Sequence, residues 1–149
     1  MMRAMSASFS WPHRVRIPVR FRDVDAYGHV NNAVFATYFE QARCECYLAL
    51  TGHEDACDAD RGLDFVVART EIDHLAPILH GDEVEIEVFP SKVGNSSFVL
   101  SYEARTERSG PVARGLTVCV AYDHPSKSSR PLTPELAETL RSGLREAGS

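Results

Sequence analysis

The residues Arg22-Asp23-Val24-Asp25-Ala26-Tyr27-Gly28-His29-Val30-Asn31-Asn32 put two carboxylates, a glycine, a histidine and two tandem asparagines into one short run. The run follows an alternating strand and opens a long, mostly apolar helical segment. A carboxylate at a strand-to-helix junction can act as base or nucleophile, and the helix N-terminus beside it favours anions and developing oxyanions. Composition alone describes a polar turn, because Asp, Asn and Gly are the usual turn residues. The order of the residues is what marks the stretch as a candidate for chemistry.

The elements that must position this turn are legible on both sides. Val15, Ile17, Val19 and Phe21 alternate with Arg16, Pro18, Arg20 and Arg22, which predicts a half-buried strand. Pro18 lacks a donor, so that strand belongs at an edge or turns the missing N–H outward. From Asn32 to Leu50 there is no proline or glycine, and Phe35, Phe39, Ala42, Cys46 and Leu50 recur at helical spacing. Val34, Tyr38 and Leu48 widen the apolar surface, so the helix is expected to be buried on most sides. Thr51-Gly52 is a plausible stop. A polar loop is expected over 53–62 and a strand over 63–72 that runs into Asp73-His74. Pro77 to Asp82 reads as a turn.

Val84, Ile86 and Val88 alternate with Glu83, Glu85 and Glu87, the pattern of a strand with one face in water. Phe98, Leu100, Tyr102 and Ala104 predict the next strand, Ser109-Gly110 a hairpin turn, and Val112 to Tyr122 the returning strand. Gly115 within it suggests a bulge or a close backbone approach. Thr133-Pro134-Glu135 resembles a helix start with proline at its first position, and Leu136, Leu140 and Leu144 form its expected apolar stripe. One antiparallel sheet and one long apolar helix are best buried by wrapping the sheet around the helix.

Bulk properties narrow the function. At 149 residues the chain suits one domain, expected over residues 13–149 behind a flexible tail at 1–12. A net charge of −5 argues against general nucleic-acid binding. No apolar run approaches a membrane span, and the first ten residues lack a signal-peptide core. The four cysteines and six histidines show no metal-ligand or disulfide spacing, which predicts reduced thiols in a cytoplasmic protein with no metal.

The motif Asp23-x-Asp25-x-x-Gly28-His29-Val30-Asn31-Asn32, followed by Tyr38-Phe39-Glu40-Gln41-Ala42-Arg43, resembles the signature of the 4-hydroxybenzoyl-CoA thioesterase-like branch of the hotdog-fold acyl-CoA thioesterases. Glu71-Ile72-Asp73-His74-Leu75-Ala76-Pro77 and Gly81-Asp82-Glu83-Val84 fit the same family. The resemblance spans Val15 to Tyr122. It implies an α+β hotdog fold, with about five antiparallel strands around one central helix and a short C-terminal helix. It implies hydrolysis of an acyl-CoA, with coenzyme A as part of the substrate and no separate cofactor. It also implies a homodimer or homotetramer, with sheets paired edge to edge and the active site between protomers.

Carried onto this chain, the resemblance makes Asp25 the catalytic carboxylate and the backbone amide near Asn32 the oxyanion donor. The first N–H groups of a helix lack internal partners, and one aimed at a developing oxyanion contributes about 3 kcal/mol. Asp23 is expected to anchor the turn, Gly28 to allow a sharp turn or a close ligand approach, and Asn31 to cap the helix. His29 either positions the thioester or fixes the loop. Asp25 could attack the carbonyl directly, giving an acyl-enzyme anhydride, or activate a water. Glu40 and Arg43 are spaced for an intrahelical pair, with Glu40 facing the acyl pocket as the alternative.

Coenzyme A carries phosphates, so Arg69, Lys92, Arg105 and Arg114 near strand ends are candidate contacts. Ser96 and Ser97, in Gly94-Asn95-Ser96-Ser97, are candidates for backbone contact with the pantetheine. Two further readings stay open: hydrolysis of acyl-carrier-protein thioesters, and acyl-CoA binding without turnover. A hotdog dehydratase is disfavoured because its histidine motif is not evident.

Overall fold

The computed structural model describes residues 9–51 and 65–148. In chain order these form β1 (His13–Pro18), a 3-10 turn (Phe21–Asp23), α1 (Asn32–Thr51), β2 (Phe65–His74), β3 (Glu83–Val93), β4 (Ser97–Thr106), β5 (Gly110–Asp123), β6 (Ser128–Ser129) and α2 (Pro134–Ser142). The sheet order is β1-β3-β4-β5-β2, every pairing is antiparallel, and the short β6 pairs with the end of β5. This is the expected hotdog architecture, with a two-residue sixth strand added. The expected polar loop at 53–62 lies outside the described residues.

Alternation in the sequence becomes the two faces of the sheet. Val84, Ile86 and Val88 turn inward and are buried, while Glu83 is exposed on the outer face. β1 is an edge strand, and Pro18 is its last residue, where a missing donor costs little. Phe35, Phe39, Ala42, Cys46 and Leu50 all pack into the core, as their spacing predicts. The helix is less enclosed than expected. Ala36, Thr37, Glu40, Gln41 and Glu45 are exposed in the protomer, so the sheet covers only one side of it.

Gly115 marks a close approach and not a bulge. It pairs in register with both Tyr102 and Ile72, and a Cβ there would sit 2.5 Å from Glu71 O and 2.8 Å from Phe39 Cε2. Phe39 uses that space to stack on Tyr102, with ring centroids 4.7 Å apart. The sheet irregularities fall elsewhere, between Val67 and Arg69, Pro90 and Lys92, and Ala104 and Arg105.

The C-terminal helix starts as predicted. Pro134 opens it, and Thr133 accepts a hydrogen bond from Leu136 N at 3.3 Å. Leu136, Ala137 and Leu140 are its buried residues, whereas Leu144 lies beyond the helix and is 48% exposed. Trp11 donates from Nε1 to Thr139 O at 3.0 Å, so within the tail expected at 1–12, Trp11 packs onto this helix, with Phe9 edge-on to its ring. The chain then crosses the outer face of the sheet. Arg145 lies 4.1 Å above the Phe89 ring and pairs with Glu87 at 3.0 Å and Glu103 at 2.8 Å.

The topology gives the sheet two distinct ends. At one end lie Pro18, Glu83, Thr106, Gly110, His74 and the N-terminus of α1. At the other lie Phe65, Ala121, Ser97, Val93 and the C-terminus of α1. The contacts Phe35–His74 and Tyr47–Phe65 confirm how the helix runs.

Candidate active site

The turn between β1 and α1 is built around Asp23. Asp23 is 3% exposed and accepts four hydrogen bonds: from Arg20 N at 3.0 Å, Arg20 Nε at 3.3 Å, Arg20 Nη2 at 3.1 Å and Tyr38 Oη at 2.8 Å. Burial pushes its carboxyl pKa up, but the bonds from Arg20 and Tyr38 outweigh that and hold it below the usual carboxylate range. The Tyr38 phenol is pushed up, first by burial and then by its bond to this anion. Asp23 is therefore the fixed anchor of the turn. Its carbonyl oxygen also accepts from Asn31 N at 3.1 Å, tying the strand side of the loop to the helix side.

Asp25 is placed differently. It is half-buried, and only Oδ1 is engaged, by Tyr27 N at 2.9 Å and His29 N at 3.4 Å. Among the described residues, Oδ2 accepts no hydrogen bond. The loop closes on itself through Asp25 N to His29 O at 2.8 Å and Gly28 N to Asp25 O at 3.0 Å. Gly28 has φ +80°, a conformation that favours glycine, while nothing lies within 4 Å of where its Cβ would be. Its role in this loop is the sharp turn. His29 is exposed and pairs by its backbone with Leu79.

The helix opens directly beside this loop. Asn31 caps it, its Oδ1 accepting from Ala33 N at 2.9 Å and its carbonyl from Val34 N at 2.8 Å. Asn32 is the first helical residue and is exposed, and its N–H has no acceptor among the described residues. The loop before β3 supports the turn from below. Val30 N donates to Ile78 O at 2.8 Å, Val19 N to Asp82 O at 3.0 Å, and buried Asp82 pairs with Arg108 at 3.0 Å. A half-buried carboxylate at Asp25 and an unused helix N–H at Asn32 thus lie on one loop-to-helix junction.

The other expected contacts do not gather there. Lys92, Ser96 and Ser97 lie on the β3–β4 hairpin, at the opposite end of the sheet. The 20-residue helix between the two ends is about 30 Å long, so within one protomer these residues are remote from Asp25. Arg69 is exposed midway along the free edge strand β2 and pairs with Glu71. Arg105 is exposed, and Arg114 donates to Gly148 O at 3.2 Å.

The Glu40–Arg43 pair is not formed among the described residues. Glu40 is exposed, and Arg43 turns instead to the sheet. Its guanidinium lies beside the buried hydroxyls of Tyr102 and Thr117, with no hydrogen bond of good geometry joining the three. Burial pushes the Tyr102 phenol up to about 12, against the pull of Arg43. Local spacing favours Glu40 as partner; Tyr102 is distant in sequence and can be found only from the sheet topology.

Residues 19–140 match the family model of the thioesterase-like superfamily. The chain belongs to that family. It is a thioester hydrolase with a hotdog fold. Over 133 residues it is 32% identical to YsmA of Bacillus subtilis, covering 89% of this chain and 86% of that one. Over 139 residues it is 29% identical to the 1,4-dihydroxy-2-naphthoyl-CoA hydrolase of Nostoc punctiforme, covering 87% and 86%. A thioesterase from Thermus thermophilus, solved with coenzyme A and zinc, is 39% identical with a TM-score of 0.73 and coverage of 87% and 91%. No helix among the described residues of this thioesterase is long and apolar enough to cross a membrane. Nor do they contain a cluster of three or more His, Cys, Asp or Glu side chains placed to hold a metal.

Proposed function

We propose that the protein hydrolyses acyl-CoA thioesters in the cytoplasm, with Asp25 as the reacting carboxylate and the Asn32 N–H as oxyanion donor. The observation that carries this reading is the asymmetric Asp25 carboxylate. Two backbone amides hold Oδ1, and Oδ2 is left open beside the first turn of α1. The coenzyme A in the related Thermus structure and the acyl-CoA substrate in the name of the Nostoc relative support the choice of thioester.

The thioester carbonyl oxygen would point at the Asn32 N–H, where a preorganised donor stabilises the charge that develops. Asp25 Oδ2 then attacks the carbonyl carbon, CoA leaves as thiolate, and water cleaves the anhydride. In the alternative, Oδ2 takes a proton from a water that attacks instead. Single turnover in ¹⁸O-water followed by mass spectrometry tests them. Label in the Asp25 carboxylate establishes the anhydride route; label confined to the product acid fits either the water route or an anhydride opened at the acyl carbon, and trapping of an acylated Asp25 with hydroxylamine separates those two.

The working unit in this reading is a dimer paired through β2. That strand is a free edge, and Val66 and Val67 on it are 37% and 44% exposed. A two-fold antiparallel pairing of two β2 edges would set the partner's hairpin end beside each catalytic end. Lys92, Ser96 and Ser97 would then serve the partner's site, with Arg69 at the seam.

The direct test is thiol release from a panel of aliphatic and aromatic acyl-CoAs. Release from at least one class is the expected result. No release from any CoA ester would overturn the proposal.

A further inference from the structure

We propose that Tyr38 is a positioning residue for hydrolysis, its hydroxyl holding the first turn of α1 in fixed relation to Asp25. The inference rests on the thioesterase reading above and names the residue that sets the geometry of that same site.

Tyr38 follows Asn32 by six residues on α1, about 9 Å further along the helix axis. It is buried, and its hydroxyl donates to Asp23 Oδ2 at 2.8 Å. The carbonyl oxygen of the same Asp23 accepts from Asn31 N at 3.1 Å. One loop residue therefore ties the helix at two levels, at its cap through the main chain and at its second turn through the carboxylate. The three bonds from Arg20 hold that carboxylate within its own turn, and the bond from Tyr38 carries it to the helix. Asp25 comes two residues after Asp23. The pairing of Val24 with Val30 and the bond from Asp25 N to His29 O at 2.8 Å extend the same frame to it.

Hydrolysis needs the Asn32 N–H and Asp25 Oδ2 to address one carbonyl group at the same moment. The donor rides on the helix and the carboxylate on the loop, so their relation depends on how the two segments are joined. One tie is a pivot, whereas two ties 9 Å apart along the axis, roughly, fix an orientation. Without the Tyr38 hydroxyl the bond at Asn31 is left as the pivot, and the helix start can tilt against Asp25. A donor that acts on charge developing in the transition state is then misaligned. Misplacement by about 1 Å at a reacting centre costs up to about a hundredfold in rate. Binding of the ground-state ester draws less on that alignment, so the loss falls on kcat and spares KM.

The test is steady-state hydrolysis of the best acyl-CoA by Tyr38→Phe, which keeps the ring in the core and removes one hydroxyl. Trp11→Phe is the matched control. It loses the donation to Thr139 O at 3.0 Å on α2, away from the loop between β1 and α1. Both are assayed at a temperature where circular dichroism shows them folded. In Tyr38→Phe kcat is expected to fall about tenfold, with KM within about twofold of wild type. Trp11→Phe should keep both constants. An unchanged kcat in Tyr38→Phe, an equal loss in both variants, or a change confined to KM overturns the inference. If Asp25→Asn is inactive while Tyr38→Phe keeps the wild-type rate, this inference alone fails. If wild type hydrolyses no ester, or Asp25→Asn works at the wild-type rate, the activity reading fails and this inference falls with it.

Discussion

Tyr38 donates its hydroxyl to Asp23 Oδ2 at 2.8 Å, joining the second turn of the central helix to the loop between β1 and α1. Two carboxylates that look alike in sequence are thereby separated in role. Asp23 is saturated by Arg20 and Tyr38, whereas Asp25 keeps one oxygen open.

Tyr38→Phe is expected to lower stability by about 1–2 kcal/mol, because it removes one partner of a buried charged hydrogen bond. The acid limb supplies a second readout. Asp23 is held below the usual carboxylate range in the folded state. Its contribution is therefore complete above the unfolded carboxyl pKa, about 3.9, and is lost as pH falls through the lower folded value. Urea midpoints should show Asp23→Asn less stable than wild type at pH 7, with the difference shrinking below pH 4.

Gly115→Ala is expected to cost about 1–3 kcal/mol through overpacking. Its new Cβ would meet Glu71 O at 2.5 Å and Phe39 Cε2 at 2.8 Å. Only the Phe39 side of that contact can move. A double variant that also shortens Phe39, such as Phe39→Leu, should not restore the wild-type melting temperature, because the backbone oxygen remains in the way.

Gly28→Ala separates conformation from space. The position has φ +80° with nothing within 4 Å of the added Cβ. The expected cost is about 1–2 kcal/mol of backbone strain. Gly28→Asn should recover part of it, since asparagine visits this region more readily. Thioesterase activity should follow the same order, because the strained turn carries the amides that hold Asp25.

The β2 edge can be tested by charge. Val66→Lys together with Val67→Lys places two cations on the free strand. Light scattering is expected to show a dimer for wild type and a monomer for the double variant, with activity lost and far-ultraviolet dichroism unchanged. A double variant that stays dimeric would place the interface elsewhere.

Much of the fold is legible in the sequence, and the reasons are local. Val84, Ile86 and Val88 show their face by period two, and Phe35 to Leu50 show theirs by helical spacing. Thr133 and Pro134 announce α2. What is not legible depends on partners far apart in the chain. Arg43 finds Tyr102 rather than Glu40, and Trp11 finds Thr139. The turn between β1 and α1 is legible because its residues are contiguous. The remoteness of Lys92, Ser96 and Ser97 from Asp25 follows from strand order, which no local pattern encodes.

The central claim is that Asp25 performs the chemistry rather than merely shaping the loop. Asp25→Asn keeps an oxygen able to accept from Tyr27 N and His29 N while removing the charge. Its steady-state hydrolysis of the best acyl-CoA should be measured alongside calorimetric binding of the same ester. The account predicts a fall in kcat of at least about a hundredfold, within the range for loss of an acid–base or nucleophilic group, with binding within a few-fold of wild type. Hydrolysis at near wild-type rate by a folded, substrate-binding Asp25→Asn would contradict it.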